Sequence, residues 1–177
     1  MKIRFIYVLN DSWWAILSPV IEKIEHVDFS HCAIVIETED YCDVYEATWP
    51  KGKKTPLSQW PEHYKLKHSI EFDVPRELEH KVLKFLEAST YFKYGTFQLF
   101  VIAVGAINNW FYKKLKDWTW NGKTQQICTE LHARFIEQFT DYKFKESLDF
   151  VGCDEVFLAV QGLKFLELEN KPFFKGQ

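Results

Sequence analysis

The stretch from Phe29 to Thr48 restricts the chain most. Phe29-Ser-His-Cys-Ala-Ile-Val-Ile36 is short, apolar and rich in β-branched residues, which suits a central strand. Glu37 to Tyr41 is polar and reads as a turn, and Asp43 to Thr48 reads as the returning strand. A hairpin of this kind calls for an antiparallel sheet with an apolar layer on at least one face.

Other segments can supply that sheet and that layer. Residues 3 to 9, Ile-Arg-Phe-Ile-Tyr-Val-Leu, read as a buried strand, and 66 to 74 alternate enough for another, with Ile70 and Phe72 between polar groups. Ser12 is placed to cap a helix over Trp13 to Glu25, where apolar residues recur at helical spacing around Pro19. Pro75 opens a helix to about Ser89, with Leu78, Val82, Leu83, Phe85 and Leu86 as its stripe. Within 126 to 139, Leu131, Phe135, Ile136 and Phe139 line one side of an amphipathic helix, and Arg134, Glu137 and Gln138 line the other. Trp49 to Pro61 holds Pro50, Gly52, Pro56 and Pro61 and reads as a surface loop. Asp141 to Asp149 reads as a second loop. Cys153 to Val160 reads as a final helical turn, and Leu163 to Leu168 as a strand. The expectation is an α+β fold in one domain spanning 1–177, with a small antiparallel sheet packed against helices.

Phe97 to Tyr112 is the outlier: sixteen residues, almost wholly apolar and uncharged. A transmembrane helix needs about twenty. The segment therefore reads as a buried helix, with a wall facing lipid or an acyl chain as the alternative. The basic, Trp-bearing stretch Lys113 to Lys123 beside it raises a peripheral membrane contact. The net charge of −3 gives no basic field for nucleic acid, and an aromatic fraction of 18% excludes disorder. The start of the chain has too short an apolar run for a signal peptide, so the expected location is the cytoplasm, with thiols reduced.

The chemistry concentrates in three places. Cys128 stands where its helix begins, and the positive end of a helix dipole favours a thiolate there. His31 opens an otherwise apolar strand, and Glu46 lies within the next one. Antiparallel pairing of 31–36 with 43–48 brings His31 near 46 to 48. A thiolate, an imidazole that takes and returns its proton, and a carboxylate that orients the imidazole make a cysteine nucleophile. Each residue also has a plain structural reading: Cys128 packing a helix start, His31 bonded in a core, Glu46 facing water at an edge. Glu37 rivals Glu46, though from the far end of the strand. His132, one helical turn past Cys128, rivals His31. Cys32 and Cys42 read as packing of the hairpin, and strand alternation points Cys32 away from the face of His31 and out of the site. A zinc site from His26, His31, Cys32 and Cys42 fails on spacing and on that alternation. His26, His63, His68 and His80 sit in polar company and read as solvated.

Ser30-His-Cys-Ala-Ile-Val-Ile36, then Tyr45-Glu-Ala47, then Tyr94-Gly95, then Cys128-Thr-Glu-Leu131 heading an amphipathic helix resemble the circularly permuted NlpC/P60 papain-like superfamily. The YiiX/YaeF-like group belongs to it, and the lecithin–retinol acyltransferase family is related. The likeness spans about residues 28 to 160, with the cysteine after the histidine, the permuted order. Thr129 stands where serine is commoner.

The resemblance implies a papain-like fold of permuted topology and a thiol hydrolase. Cys128 would be the nucleophile, His31 the base and later the acid, and Glu46 the orienting residue. Tyr94 would serve in substrate or oxyanion binding, with the Cys128 backbone N–H contributing to the oxyanion hole. No metal or organic cofactor is implied. The expected substrate is a peptide or isopeptide. The alternatives are an acyl lipid, with hydrolase or acyltransferase chemistry along 97–112, or a catalytically silent binding module of the same fold.

Overall fold

The computed structural model describes residues 1–10, 27–95, 125–145, 147–148 and 151–163. The segments expected as a helix over 13–25, as the apolar run 97–112 and as the basic stretch 113–123 lie outside them, as does almost all of the strand expected over 163–168.

The fold is α+β. Five strands form one antiparallel sheet: β1 (Lys2–Asn10), β2 (His31–Glu37), β3 (Cys42–Glu46), β4 (Lys53–Pro56) and β5 (Tyr64–Asp73), in the order β4-β3-β2-β1-β5. The hairpin read between Phe29 and Thr48 is β2 and β3, with Ile34 opposite Tyr45 and Val35 opposite Val44. Its first arm is the middle strand, which explains its nearly unbroken apolar run: both faces are covered.

One expectation fails here. The loop expected from Trp49 to Pro61 contains β4, paired with β3 from Asp43–Pro56 to Glu46–Lys53, and a short 3-10 turn at Leu57–Gln59. Two lysines and a terminal proline disguise the strand. Both are what an edge strand tolerates, because one side of its backbone has no neighbour to pair with. Gly52 precedes it because a Cβ there would sit 2.3 Å from the Ser89 carbonyl oxygen.

One face of the sheet carries the helices. α1 (Arg76–Ser89) starts after Pro75, and Leu78, Val82, Phe85 and Leu86 are buried while Leu83 is partly so. α2 (Cys128–Phe139) packs on β2 and against α1. α3 (Cys153–Gln161) packs against α2 and is a true helix rather than the single turn expected. Between sheet and helices lies an aromatic core in which Phe135 meets Phe5 (ring centroids 5.4 Å apart), Phe85 (5.8 Å) and Phe139 (4.8 Å). Each such ring contributes on the order of 2–3 kcal/mol by leaving water. The opposite face is thinner: Ile6, Ala33, Val35 and Val44, covered by Leu57 and Trp60.

A parallel pair of two-residue strands, β6 (Lys93–Tyr94) and β7 (Gln125–Gln126), sets Tyr94 opposite Gln126, two residues before Cys128. The Tyr94 N–H donates to the Pro50 carbonyl at 3.0 Å, tying this pair to the segment after β3.

Candidate active site

His31 and Glu46 meet because of register. With Ile34 opposite Tyr45, the side chains of His31 and Glu46 lie on the same face of the hairpin. His31 Nε2 and Glu46 Oε2 are 2.9 Å apart, and both residues are buried. A second donor, the Trp60 indole N–H, reaches Glu46 Oε1 at 3.2 Å. The carboxylate is thus bonded through both oxygens. Burial alone would raise its pKa, but the bond to His31 and then the Trp60 N–H hold it below the ordinary carboxylate value.

Cys128 comes from the other face of the sheet. It is the first residue of α2, which starts from Ile127 in extended backbone with no side-chain cap. The open first turn therefore keeps its positive end available to the sulfur. His31 is the first residue of β2, so its ring meets the thiol at the end of the strand. With Nε2 on Glu46, Nδ1 is the nitrogen left for Cys128.

The charges support one another. The Cys128 thiol is held well below its usual pKa, first by a hydrogen bond from the Cys32 side chain, then, against burial, by the hydrogen bond and charge of His31 and by the Cys32 backbone. Burial would push His31 down, but hydrogen bonds to Cys128 and Glu46, and their charges, outweigh it and raise the imidazole to about 10. Both shifts favour a thiolate beside an imidazolium. The two groups titrate as one unit.

Cys32 corrects the sequence reading. Alternation does put it on the face opposite His31, in the core that α2 covers. That is the face from which Cys128 arrives, so Cys32 belongs to the site through the nucleophile rather than through the histidine. The rivals fall elsewhere. Glu37, at the far end of β2, bonds Arg4 Nη2 at 2.8 Å. The His132 Nδ1–H donates to the Cys128 carbonyl at 3.2 Å, and burial drives its pKa down to about 4, so it is neutral where His31 is charged. Cys42 is half-buried and bonds Arg4. His68, expected in solvent, pairs with Asp28 at 2.7 Å and packs on Phe29 and Phe157. His63 and His80 are exposed, and His26 lies outside the described residues.

Tyr94 is half-buried against the core, and its hydroxyl feels the electrostatic influence of Cys128, Cys32, Tyr64 and Cys153. Burial, and then the charge on Cys128, keep its hydroxyl protonated far above the usual tyrosine range. A hydroxyl that stays protonated is a donor for a developing oxyanion.

Two residues of this cluster were not singled out from the sequence. Tyr64 stacks on the His31 ring, with centroids 5.3 Å apart and planes 16° apart, and Trp60 stacks on Tyr64 at 4.6 Å and 22°. The only available hint was their aromatic character at the end of a Pro-rich stretch.

No model of a known protein family matches the chain, and no curated protein matches it. Among the described residues, no helix is long and apolar enough to cross a membrane.

Proposed function

We propose that the protein is a cysteine hydrolase of the papain-like kind in circularly permuted order, acting on an amide bond of a peptide or isopeptide. The observation that carries the reading is the 2.9 Å His31–Glu46 pair set against Cys128 at a helix start. The order of the sequence motifs supports it. The Cys128 thiolate attacks the acyl carbon, forming a C–S bond and a tetrahedral oxyanion. The Cys128 backbone N–H and the Tyr94 hydroxyl are the donors for that oxygen. Collapse breaks the C–N bond, and His31 gives its Nδ1 proton to the leaving amine. A water molecule then attacks the thioester. His31 takes the water proton, the C–S bond breaks, and the acid leaves with the thiolate restored. Glu46 stays ionised throughout and holds the imidazole in place.

The test is the pH dependence of alkylation by iodoacetamide, with the adduct located by mass spectrometry. Wild type is expected to alkylate at Cys128 far below the ordinary thiol pKa of about 8.5, and His31→Ala to shift that limb back towards it. A Cys128 that reacts as an ordinary thiol in both proteins overturns the reading.

A further inference from the structure

Four side chains at the site close into a ring of contacts. His31 bonds Glu46, Glu46 accepts from Trp60, Trp60 stacks on Tyr64, and Tyr64 stacks back on His31. Two of these contacts are already accounted for: Glu46 holds the imidazole, and Trp60 satisfies the buried carboxylate. The two stacks of the Tyr64 ring, on Trp60 and on His31, follow from neither. We infer that Tyr64 is a positioning residue: its ring, lying flat against His31, fixes the imidazole plane between Glu46 and Cys128 and stabilises the imidazolium. The inference rests on the reading of Cys128 and His31 as a reactive pair.

The backbone goes out of its way to deliver this ring. From Lys2–Asp73 to Tyr7–His68, β1 and β5 pair without a break, and Phe72, Ile70 and His68 lie opposite Ile3, Phe5 and Tyr7 on the helix side. The register then shifts: Val8 pairs with Leu66, so Lys67 is one residue too many. A bulge of one residue reverses which side chains face which side. Beyond it Tyr64 lies opposite Asn10, on the face of Val8, and Val8 is opposite His31 in the other pairing. Without the extra residue, Tyr64 would lie on the helix side, across the sheet from the imidazole. The Tyr64 N–H, donated to the Pro61 carbonyl at 3.2 Å, closes the turn that carries Trp60 into the same cluster.

The chemistry of the contact suits a charged ring. A near-parallel aromatic face presents negative π density to a cation. The groups around His31 are Glu46 from β3, Cys128 and His132 from α2, and Tyr64 from β5. Lys53 of β4 acts on Glu46, and His63 packs on the Tyr64 ring at 4.5 Å. Of these, Glu46, ionised Cys128 and the Tyr64 ring favour the imidazolium. The Tyr64 hydroxyl faces Thr48 and Glu46 and is kept protonated by burial and by the Glu46 charge, so it adds no negative charge of its own.

The experiment compares the pH profile of Cys128 alkylation in wild type, Tyr64→Leu and Tyr64→Phe, with thermal melts on each. Tyr64→Leu is expected to move the acid limb of the profile up by about half to one and a half pH units, a threefold to thirtyfold loss of rate on that limb, the range a lost cation–π contact allows. Tyr64→Phe keeps the ring and is expected to stay within about twofold of wild type. A wild-type profile in Tyr64→Leu overturns the inference, as does a Tyr64→Phe that falls as far as Tyr64→Leu. Should Tyr64→Leu fail to fold, NMR on wild type decides. The His31 Hε1 resonance is expected upfield under the Tyr64 ring current and unchanged in Tyr64→Phe; an unshifted resonance in wild type overturns the stack. An ordinary thiol profile in wild type itself would instead overturn the hydrolase reading.

Discussion

His31 and Glu46 are fifteen residues apart in the chain and 2.9 Å apart through Nε2 and Oε2, with Glu46 held on its other oxygen by Trp60. The carboxylate therefore both orients the imidazole and supports its charge. Glu46→Gln keeps the shape and removes the charge. Hydrogen bonds to charged groups are worth roughly 1.5–3 kcal/mol, so the acid limb of Cys128 alkylation is expected to move up by about one pH unit or more while the protein stays folded. Glu46→Ala is expected to lose as much reactivity. It also lowers stability by about 3 kcal/mol in urea unfolding, because a buried charged partner is left alone. Reactivity unchanged in both variants would remove Glu46 from the site.

The thiolate–imidazolium pair exists within a window. Below it Cys128, whose pKa is held well under the usual thiol value by Cys32 and His31, takes up a proton. Above it His31 loses its proton near 10. Alkylation needs only the thiolate and is expected to rise with pH and then level off. Amide turnover also needs a proton for the leaving amine, so it is expected to trace a bell whose alkaline limb lies near 10. Stopped-flow alkylation and turnover of a peptide p-nitroanilide, whose amine leaving group must be protonated, separate the two shapes across the same buffers. A turnover curve that levels off at high pH with no alkaline limb counts against His31 as the acid.

Much of this site could be read in the sequence, and what could not has a common cause. His31, Glu46 and Cys128 were legible because strand alternation and a helix start place them by local rules. The β2–β3 register then needed no more than a tight hairpin. Tyr64 was not legible: which face it occupies depends on the extra residue at Lys67, and a bulge leaves no mark in composition. Cys32 was assigned to the correct face but excluded wrongly, because alternation says where a side chain points and not what arrives to meet it. β4 was hidden by Pro56 and its lysines, which are acceptable only because that strand lies at an edge. The permuted papain-like topology remains with the proposed function, resting on motif order.

The core that positions Cys128 is open to a direct test. Phe135 is fully buried about two helical turns after Cys128 on the same side of α2, with Phe5, Phe85 and Phe139 around it. Phe135→Ala removes the ring at the centre of the contact between α2 and the sheet and is expected to cost about 3–5 kcal/mol, with an unchanged urea m-value. A loss under about 1 kcal/mol would mean that α2 is held by contacts elsewhere.

His132 gives the acid side of the stability curve a specific source. It is fully buried between Phe5 (5.4 Å between ring centroids) and Tyr7 (5.9 Å), and burial lowers its pKa from 6.5 to about 4. A depressed folded pKa means that the unfolded chain binds the proton first. The stabilisation is complete above pH 6.5 and drains away as pH falls towards 4. The shift corresponds to about 3 kcal/mol across that interval. Glu46, also depressed in the folded state, adds its own loss only below the ordinary carboxylate range near 4.5. Urea unfolding at pH 7 and pH 5 isolates the histidine when wild type is compared with His132→Phe, since Cys128 and His31, whose pKa values also differ between the folded and unfolded chain, contribute to both proteins. His132→Phe keeps the aromatic contacts and is expected to flatten the difference between those two pH values, at the expense of the bond to the Cys128 carbonyl. A variant with the same slope as wild type would place the titrating group elsewhere in the chain.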